Sequence, residues 1–422
     1  MNSDGPVPEQ RLVALQHRDF RLLWGGQLFT ILGKRMQTAI ILWHVYELTG
    51  DPLALGAVGL VNFLPIAGIS LLSGVLADIM NRRLLMLVTQ LLMVVLTALL
   101  AWTTHSDQTS VWTVYALSLL STAGWTFETP ARQALIPSLV PRGHLSNAYS
   151  LMSAVFQIGS ILGPAAAGWA IARLDVAAAY GLNVVPFLFA AVALLLMRSS
   201  GFVQTVDAEE KPTVSLRAVG EGLRFVMRHP VIRPLMLLDF FATFFSSAIV
   251  LLPVFAQDVL QVGAQGYGWL YSAVSIGSVV TAAVLSLRRR LYNQGPILLC
   301  AVAIYGLATI AFGFSRSFMV SFVALAFTGA ADTLSTILRQ TIRNLQTPDR
   351  LRGRMTSMNM IFYRGGPELG EMESGLLASL FGAPFAVISG GLGCLLALAV
   401  IVWKSPVLRQ LQEGEPSPTP VV

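Results

Sequence analysis

Apolar and polar positions in this chain are segregated on a scale of roughly twenty residues, the length of helix that crosses a bilayer. Apolar runs occupy 21–47, 53–77, 84–104, 111–131, 148–172, 177–197, 231–256, 266–287, 296–314, 318–338, 356–379 and 384–403. The pattern predicts an all-α membrane protein with twelve transmembrane helices. All but one of the connections are short. The exception, Arg198 to Arg233, contains Asp207, Glu209, Glu210, Lys211 and Pro212 and continues into Val214–Arg228. There Leu216, Val219, Leu223 and Val226 recur at helical spacing opposite Arg217, Glu221, Arg224 and Arg228, the pattern of an amphipathic helix lying on a membrane surface. The expected organisation is an N-terminal segment (1–20), a six-helix bundle (21–197), a linker (198–233), a second six-helix bundle (234–403) and a tail (404–422). The tail's Glu, Pro, Ser and Thr content marks it as disordered.

Composition agrees with the pattern. Of the 422 residues, 55% are hydrophobic and 12% charged, about half the charged share of a soluble domain. The formal net charge of +6 does not point to nucleic acid, because the basic residues cluster between the apolar runs. With the N-terminus in the cytoplasm, most of the 28 lysines and arginines fall on the cytoplasmic side. Arg173 and Arg316 then lie outside, and Lys34, Arg35 and Arg364 within spans. Both termini are therefore expected in the cytoplasm. Residues 1–20 lack the pattern of a cleavable signal peptide, so the first apolar run is expected to serve as the insertion signal. Cys300 and Cys394 sit in apolar runs, as packing residues do.

The two halves echo each other. Arg132-Gln133 answers Arg339-Gln340, Pro141 answers Pro348, and Phe156 and Gly159 answer Phe362 and Gly365. A duplicated six-helix unit is a transporter architecture, with the solute path between the halves.

Charges inside apolar runs are costly, at least ~3 kcal/mol each at a bilayer centre, and usually face the protein interior or an aqueous path. Span 11 holds four in Phe362–Gly375: Arg364, Glu368, Glu371 and Glu373. The first three share one face at i, i+4 and i+7. Gly365, Gly366 and Pro367 are expected to loosen the helix there. Either Glu368 or Glu371 binds and releases a proton, or Arg364 and Glu368 form a structural pair. Glu373 lies about 200° around from Glu371 and has no evident role. Span 1 holds Lys34 and Arg35, ~20 Å from its cytoplasmic start and about 100° apart around the helix. One of them facing a cavity would favour an anionic solute or neutralise a span 11 glutamate; both pairing with buried carboxylates is the alternative.

The stretch Gly74-Val-Leu-Ala-Asp78-Ile-Met-Asn-Arg82-Arg83 resembles the cytoplasmic signature of the major facilitator superfamily. It departs from that signature at Ile79 and Asn81, where arginine and glycine are usual. The resemblance extends over nearly the whole chain. It implies that Gly74, Asp78, Arg82 and Arg83 form a cytoplasmic latch between the halves, weakened here by the missing arginine. The matching loop of the second half, Arg288-Arg289-Arg290, has no aspartate. Gly159, Gly163, Pro164 and Gly168 in span 5 are similar to the helix-packing motif of exporters in this superfamily. Together with Phe127–Gln133 and Leu351–Arg354, they resemble the branch of enterobactin and macrolide efflux proteins.

The resemblance further implies that spans 1, 4, 7 and 10 line a central cavity. Lys34, Glu128, Asp239 and Asp332 then belong to it. Asp239 and Asp332 are candidate proton sites, and Glu128 is expected to pair with Arg132 at i+4. Arg339 and Arg343 are expected to form a gate or to hold a lipid phosphate. The aromatic groups Phe240-Phe241, Phe244-Phe245, Trp125, Phe127, Trp269, Tyr271 and Tyr363 suit a large, partly apolar solute. The five histidines show no metal-ligand spacing, no phosphate-binding loop is present, and no nucleophile stands with a base.

The expected protein is thus no enzyme and takes no cofactor or metal. It is a monomeric, proton-coupled exporter of a small, partly apolar or anionic solute in the cytoplasmic membrane, in contact with lipids and not with nucleic acid. The alternatives are a lipid or lysolipid flippase, with Arg339 and Arg343 holding the headgroup, and a membrane sensor or scaffold that transports nothing.

Overall fold

The computed structural model describes residues 12–199, 224–287, 292–347 and 352–410; the side chains of 70–79, 352–354, 356–364 and 410 lie outside the description. The expected surface helix over 214–228 falls largely outside it, as do Arg288–Arg290, the tail beyond 410 and the side chains of Gly74–Ile79 and Arg364.

Among the described residues, twelve helices of 14 to 32 residues follow in order: α1 (Arg18–Thr49), α2 (Pro52–Ile79), α3 (Arg82–His105), α4 (Val111–Leu139), α5 (Leu145–Arg173), α6 (Val176–Leu196), α7 (Ile232–Phe245), α8 (Gly263–Leu287), α9 (Gln294–Phe314), α10 (Phe318–Gln346), α11 (Arg352–Phe381) and α12 (Ala383–Lys404). Among the described residues, nine are long and apolar enough to cross a membrane on length and composition alone, α7 being counted with the turns that carry it on to Val259. The other three are α1, α4 and α11, which are equally long but carry Lys34/Arg35, Glu128/Arg132 and the Glu368–Glu373 run. Local chemistry fixes many of the ends. Asn81, Ser110 and Asp175 accept backbone N–H groups at the starts of α3, α4 and α6. Gly50, at φ 61°, ends α1 in the left-handed conformation, its N–H donating to Tyr46 O.

His229 starts α7 differently. Its Nδ1 accepts from Val231 N and Ile232 N, both at 3.3 Å. Burial pushes this imidazole below its usual range, which keeps the nitrogen free to accept. The cap is therefore complete above about pH 6.5 and is lost as the pH falls and the ring takes up a proton. His229→Ala is expected to lower stability by about 1 kcal/mol, measured as thermal unfolding in detergent.

Three expectations about the helices need correction. Span 7 does not run unbroken over 231–256. After Phe245 it passes through a 3-10 turn (Ala248–Leu251), a short α turn (Leu252–Val254) and a π-helical turn (Phe255–Val259). Pro253 has no N–H to give to the preceding turn, so one α hydrogen bond is missing where these turn types succeed one another. Second, α4 and α10 continue about two turns beyond their apolar runs, because backbone hydrogen bonding propagates into the polar interface where apolarity stops. Third, α11 is continuous through Gly365-Gly366-Pro367. Gly366, with Gly370 one turn on, seats α7 instead: a Cβ on Gly366 would strike Thr243, and one on Gly370 would strike the Phe244 carbonyl.

In the first bundle α1 packs on α5 and α6, and α4 on α2 and α3; in the second, α10 packs on α8 and α9, and α7 on α11 and α12. Between bundles the principal contacts are α2–α11 and α5–α8. The repeat, which carries α2 into α8 and α5 into α11, exchanges these two seams, as a two-fold relation requires.

The apolar core distinguishes the two ends. At the end bearing Tyr46 one cluster joins both bundles, including Ile40, Tyr46, Tyr180, Phe255, Tyr267 and Ala378. At the opposite, basic end the bundles keep separate cores. One contains Phe20, Leu85, Leu135 and Leu194, the other Leu235, Leu298, Leu338 and Ile401.

Candidate functional site

The charged residues of the spans fall into three groups. The first lies on the α4-facing side of α1, where Gln27, Lys34 and Gln37 share a polar face. Gln27 Nε2 donates to Glu128 Oε1 at 2.9 Å, and Arg132 Nε stands 3.3 Å from the same oxygen. The Glu128–Arg132 pair therefore has the geometry the i, i+4 spacing foretells. Lys34 Nζ sits 4.8 Å from the centroid of the Trp125 ring, a cation–π arrangement. Gln37 Nε2 donates to Ser121 Oγ and its Oε1 accepts from Thr97.

The second group is its counterpart in the second bundle. Arg339 Nη2 lies 2.8 Å from Asp239 Oδ1 and 3.8 Å from Asp332 Oδ1, and its other contacts are Ser335 Oγ and Thr336 Oγ1. Asp239 and Arg339 are both 6% exposed, whereas the Asp332 side chain is about half open at 46%. Arg339 is the repeat partner of Arg132. In each bundle an arginine of the fourth helix holds an acid, and the first helix completes the pair, through Gln27 in one half and Asp239 in the other. Asp332, Ser335 and Arg339 share one face of α10 at i, i+3 and i+7, whereas Asp239, expected as a proton site in its own right, reaches Arg339 from another helix.

The third group joins the bundles. Arg35 Nε donates to Ser160 Oγ at 3.2 Å, and its guanidinium lies 5.1 Å from the Phe156 ring centroid. Lys34 and Arg35 thus address different neighbours, α4 and α5. Tyr271 of α8 is close enough to Arg35 and to Glu368 and Glu371 of α11 to feel their charges, and the two glutamates act on each other. Glu371 lies over Gly59 of α2. A Cβ there would come within 2.7 Å of both Glu371 Cβ and Oε2 and 2.8 Å of Glu368 O. Gly59 was not singled out from the sequence, where the spacing Gly56-x-x-Gly59 was the available signal; Tyr271 was expected there as aromatic surface, not as a neighbour of these charges.

The span 5 glycines serve two helices. Cβ atoms on Gly159 and Gly163 would meet Ile31 and Arg35 Cβ of α1 at 2.7 and 2.6 Å. Gly168 faces the other bundle, where a Cβ would meet Ala264 O at 2.5 Å and Gly268 Cα at 2.8 Å. A Cβ on Gly268 would in turn meet Pro164 O at 2.6 Å, and Ser272 Oγ donates to Ile161 O at 2.7 Å across the same seam. Gly56 and Gly375 make the matching approach between α2 and α11. Further up, Tyr267 OH donates to Ala39 O at 2.9 Å, and Tyr46 OH donates to Asp258 of the π-helical turn. Gly168→Val is expected to part α5 from α8. Spin labels at Arg173 and Gln265 would read this as a lengthened, broadened distance distribution.

Of the signature residues between α2 and α3, Arg82 Nη1 donates to Ala134 O and Arg83 donates to Leu194 O, Leu195 O and Ser199 O. Both guanidinium groups are thus engaged within their own bundle, closing the ends of α4 and α6. Arg343 lies with Asp239 and Arg339 around a small crevice at the start of α7.

Residues 10–419 match the family of transmembrane secretion effectors, a major facilitator family. The chain belongs to this family. It is a multi-pass membrane transporter of the major facilitator superfamily, and its relatives are transporters rather than enzymes. It is 27% identical to the multidrug efflux pump Tap of Mycolicibacterium fortuitum, over 87% of this chain and 91% of that one. It is 26% identical to the enterobactin exporter EntS of Escherichia coli O1:K1 / APEC, over 74% and 73% of the two chains. Among solved structures, a bacterial homologue of the human lysosomal transporter Spinster, in an inward-facing, unoccupied conformation, superposes with a TM-score of 0.69. That match, at 15% identity over 95% of this chain and 99% of the other, bears on the fold.

Proposed function

We propose that this transporter exports a small, partly apolar or anionic solute of drug-like or siderophore-like character across the cytoplasmic membrane, by alternating access coupled to inward proton flow. The observation that carries this reading is the contrast between the ends, with one core joining the bundles around Tyr46 and two separate cores at the basic end. With both termini cytoplasmic, as the basic residues imply, the opening faces the cytoplasm, where an exporter loads. The resemblance to an efflux pump and a siderophore exporter supports the solute class. Arg35, Tyr271, Glu368 and Glu371 lie where the bundles meet, so a charge change there acts on both at once. Arg339, engaged by two aspartates, is poorly placed to hold a lipid headgroup, which weighs against a flippase using that site.

The test is reconstitution in liposomes with an imposed pH gradient, offering siderophores, macrolides and cationic dyes in turn. Solute movement against its gradient with matching proton release is the expected result. Lipid scrambling without movement of any solute would sink the reading.

A further inference from the structure

A cavity of about 840 Å³ lies away from the charged seam, between the start of α7 and the end of α12 at the basic end. Its walls are two helical stripes. Arg233, Leu237 and Phe241 recur every fourth residue along α7, and Leu396, Val400 and Lys404 do so along α12. Each stripe is apolar except for a cation at the same end, and Arg228, at the end of the short helical segment before α7, adds a third. All three cations are exposed, and among the described residues no carboxylate lies within ion-pair distance of them. The other end of the groove is shut where the Phe245 ring packs on Gly393, a Cβ there meeting Phe245 Cγ at 2.8 Å. From Arg233 to Phe245 the groove runs ~18 Å, slightly more than the ~15 Å of one leaflet's hydrocarbon.

A slot one leaflet deep, apolar along its length and positive only at its mouth, has the charge and dimensions of one class of molecule. The geometry points to a binding site for an anionic glycerophospholipid, with its phosphate among Arg228, Arg233 and Lys404 and an acyl chain along Phe241 and Leu396. The three cations attract a phosphate at the membrane surface. The groove holds the chain in place, which distinguishes a site from diffuse surface attraction. This inference is independent of which solute is carried.

Native mass spectrometry of the full-length chain, released from nanodiscs of equal parts phosphatidylglycerol and phosphatidylcholine, tests it. The unaltered protein is expected to retain phosphatidylglycerol preferentially. R228Q/R233Q/K404Q is expected to lose that preference on the order of tenfold. L396W keeps all three cations, fills the groove, alters only an exposed position and is expected to lose retention as well. Equal retention of the two lipids by the unaltered protein, or undiminished preference in the triple variant, would overturn the proposal. So would full retention in L396W, which would reduce the effect to surface charge, or a lipid-free dimer, which would give the groove to a second copy of the chain.

Discussion

Replacing Glu371 with glutamine is expected to reduce uphill, pH-driven efflux in proteoliposomes to background, while solute exchange without a gradient continues. Glutamine keeps the shape that Glu371 presents to Gly59, so the α2–α11 seam survives. What disappears is the ability to take up and release a proton. Glu368 stands close enough to interact, and two neighbouring carboxylates in a low-dielectric interior repel each other when both are ionised. Protonating either removes a charge at the place where the bundles meet, and that biases one arrangement of the halves over the other. Glu368→Gln, measured alongside, separates the two roles. Unchanged uphill transport in Glu371→Gln would remove that residue from coupling, and the same result in both variants would move coupling off this pair of glutamates.

Arg339→Leu is expected to cost about 3–5 kcal/mol of stability, the range for leaving one partner of a buried ion pair alone. Asp239 is 6% exposed and would be left without its counter-charge. The half-exposed Asp332 would be less affected, since water reaches it. The double variant Asp239→Leu/Arg339→Leu should recover more than half of the loss, because two leucines fill the space without a charge. Thermal unfolding of the three proteins in the same detergent measures this. A double variant no better than Arg339→Leu would show that the arginine matters through Ser335 and Thr336 rather than through the pair.

The twelve helices were legible because bilayer thickness imposes a length that apolar runs display directly. The turn structure after Phe245 was not. Ser246, Ser247 and Pro253 occur within continuous membrane helices too, where neighbours satisfy the freed backbone groups. Charges in apolar runs were equally visible, but their partners were visible only on the same helix. Glu128 and Arg132 could be paired from spacing alone, whereas Asp239 and Arg339 are brought together by the packing of α7 against α10. Lys34 and Arg35 could be separated in angle but not assigned to α4 and α5, because a helix buried on most sides shows no apolar stripe to set its phase. Gly59 was one among 36 glycines, and only the neighbouring helix reveals that it admits a close approach; Gly168 was marked by the resemblance, but not the α8 partner it meets.

The single apolar core around Tyr46 has an energetic consequence for the empty protein. Parting the bundles at that end would wet its apolar surface, at about 5 kcal/mol for every ~200 Å² uncovered. The transporter without cargo therefore rests with that door shut. Reversing a two-state balance from 1:99 to 99:1 takes ≈ 5.5 kcal/mol of differential binding, about what ~200 Å² of wetted core would demand. On the proposed mechanism, cargo and proton together must supply a difference of that order.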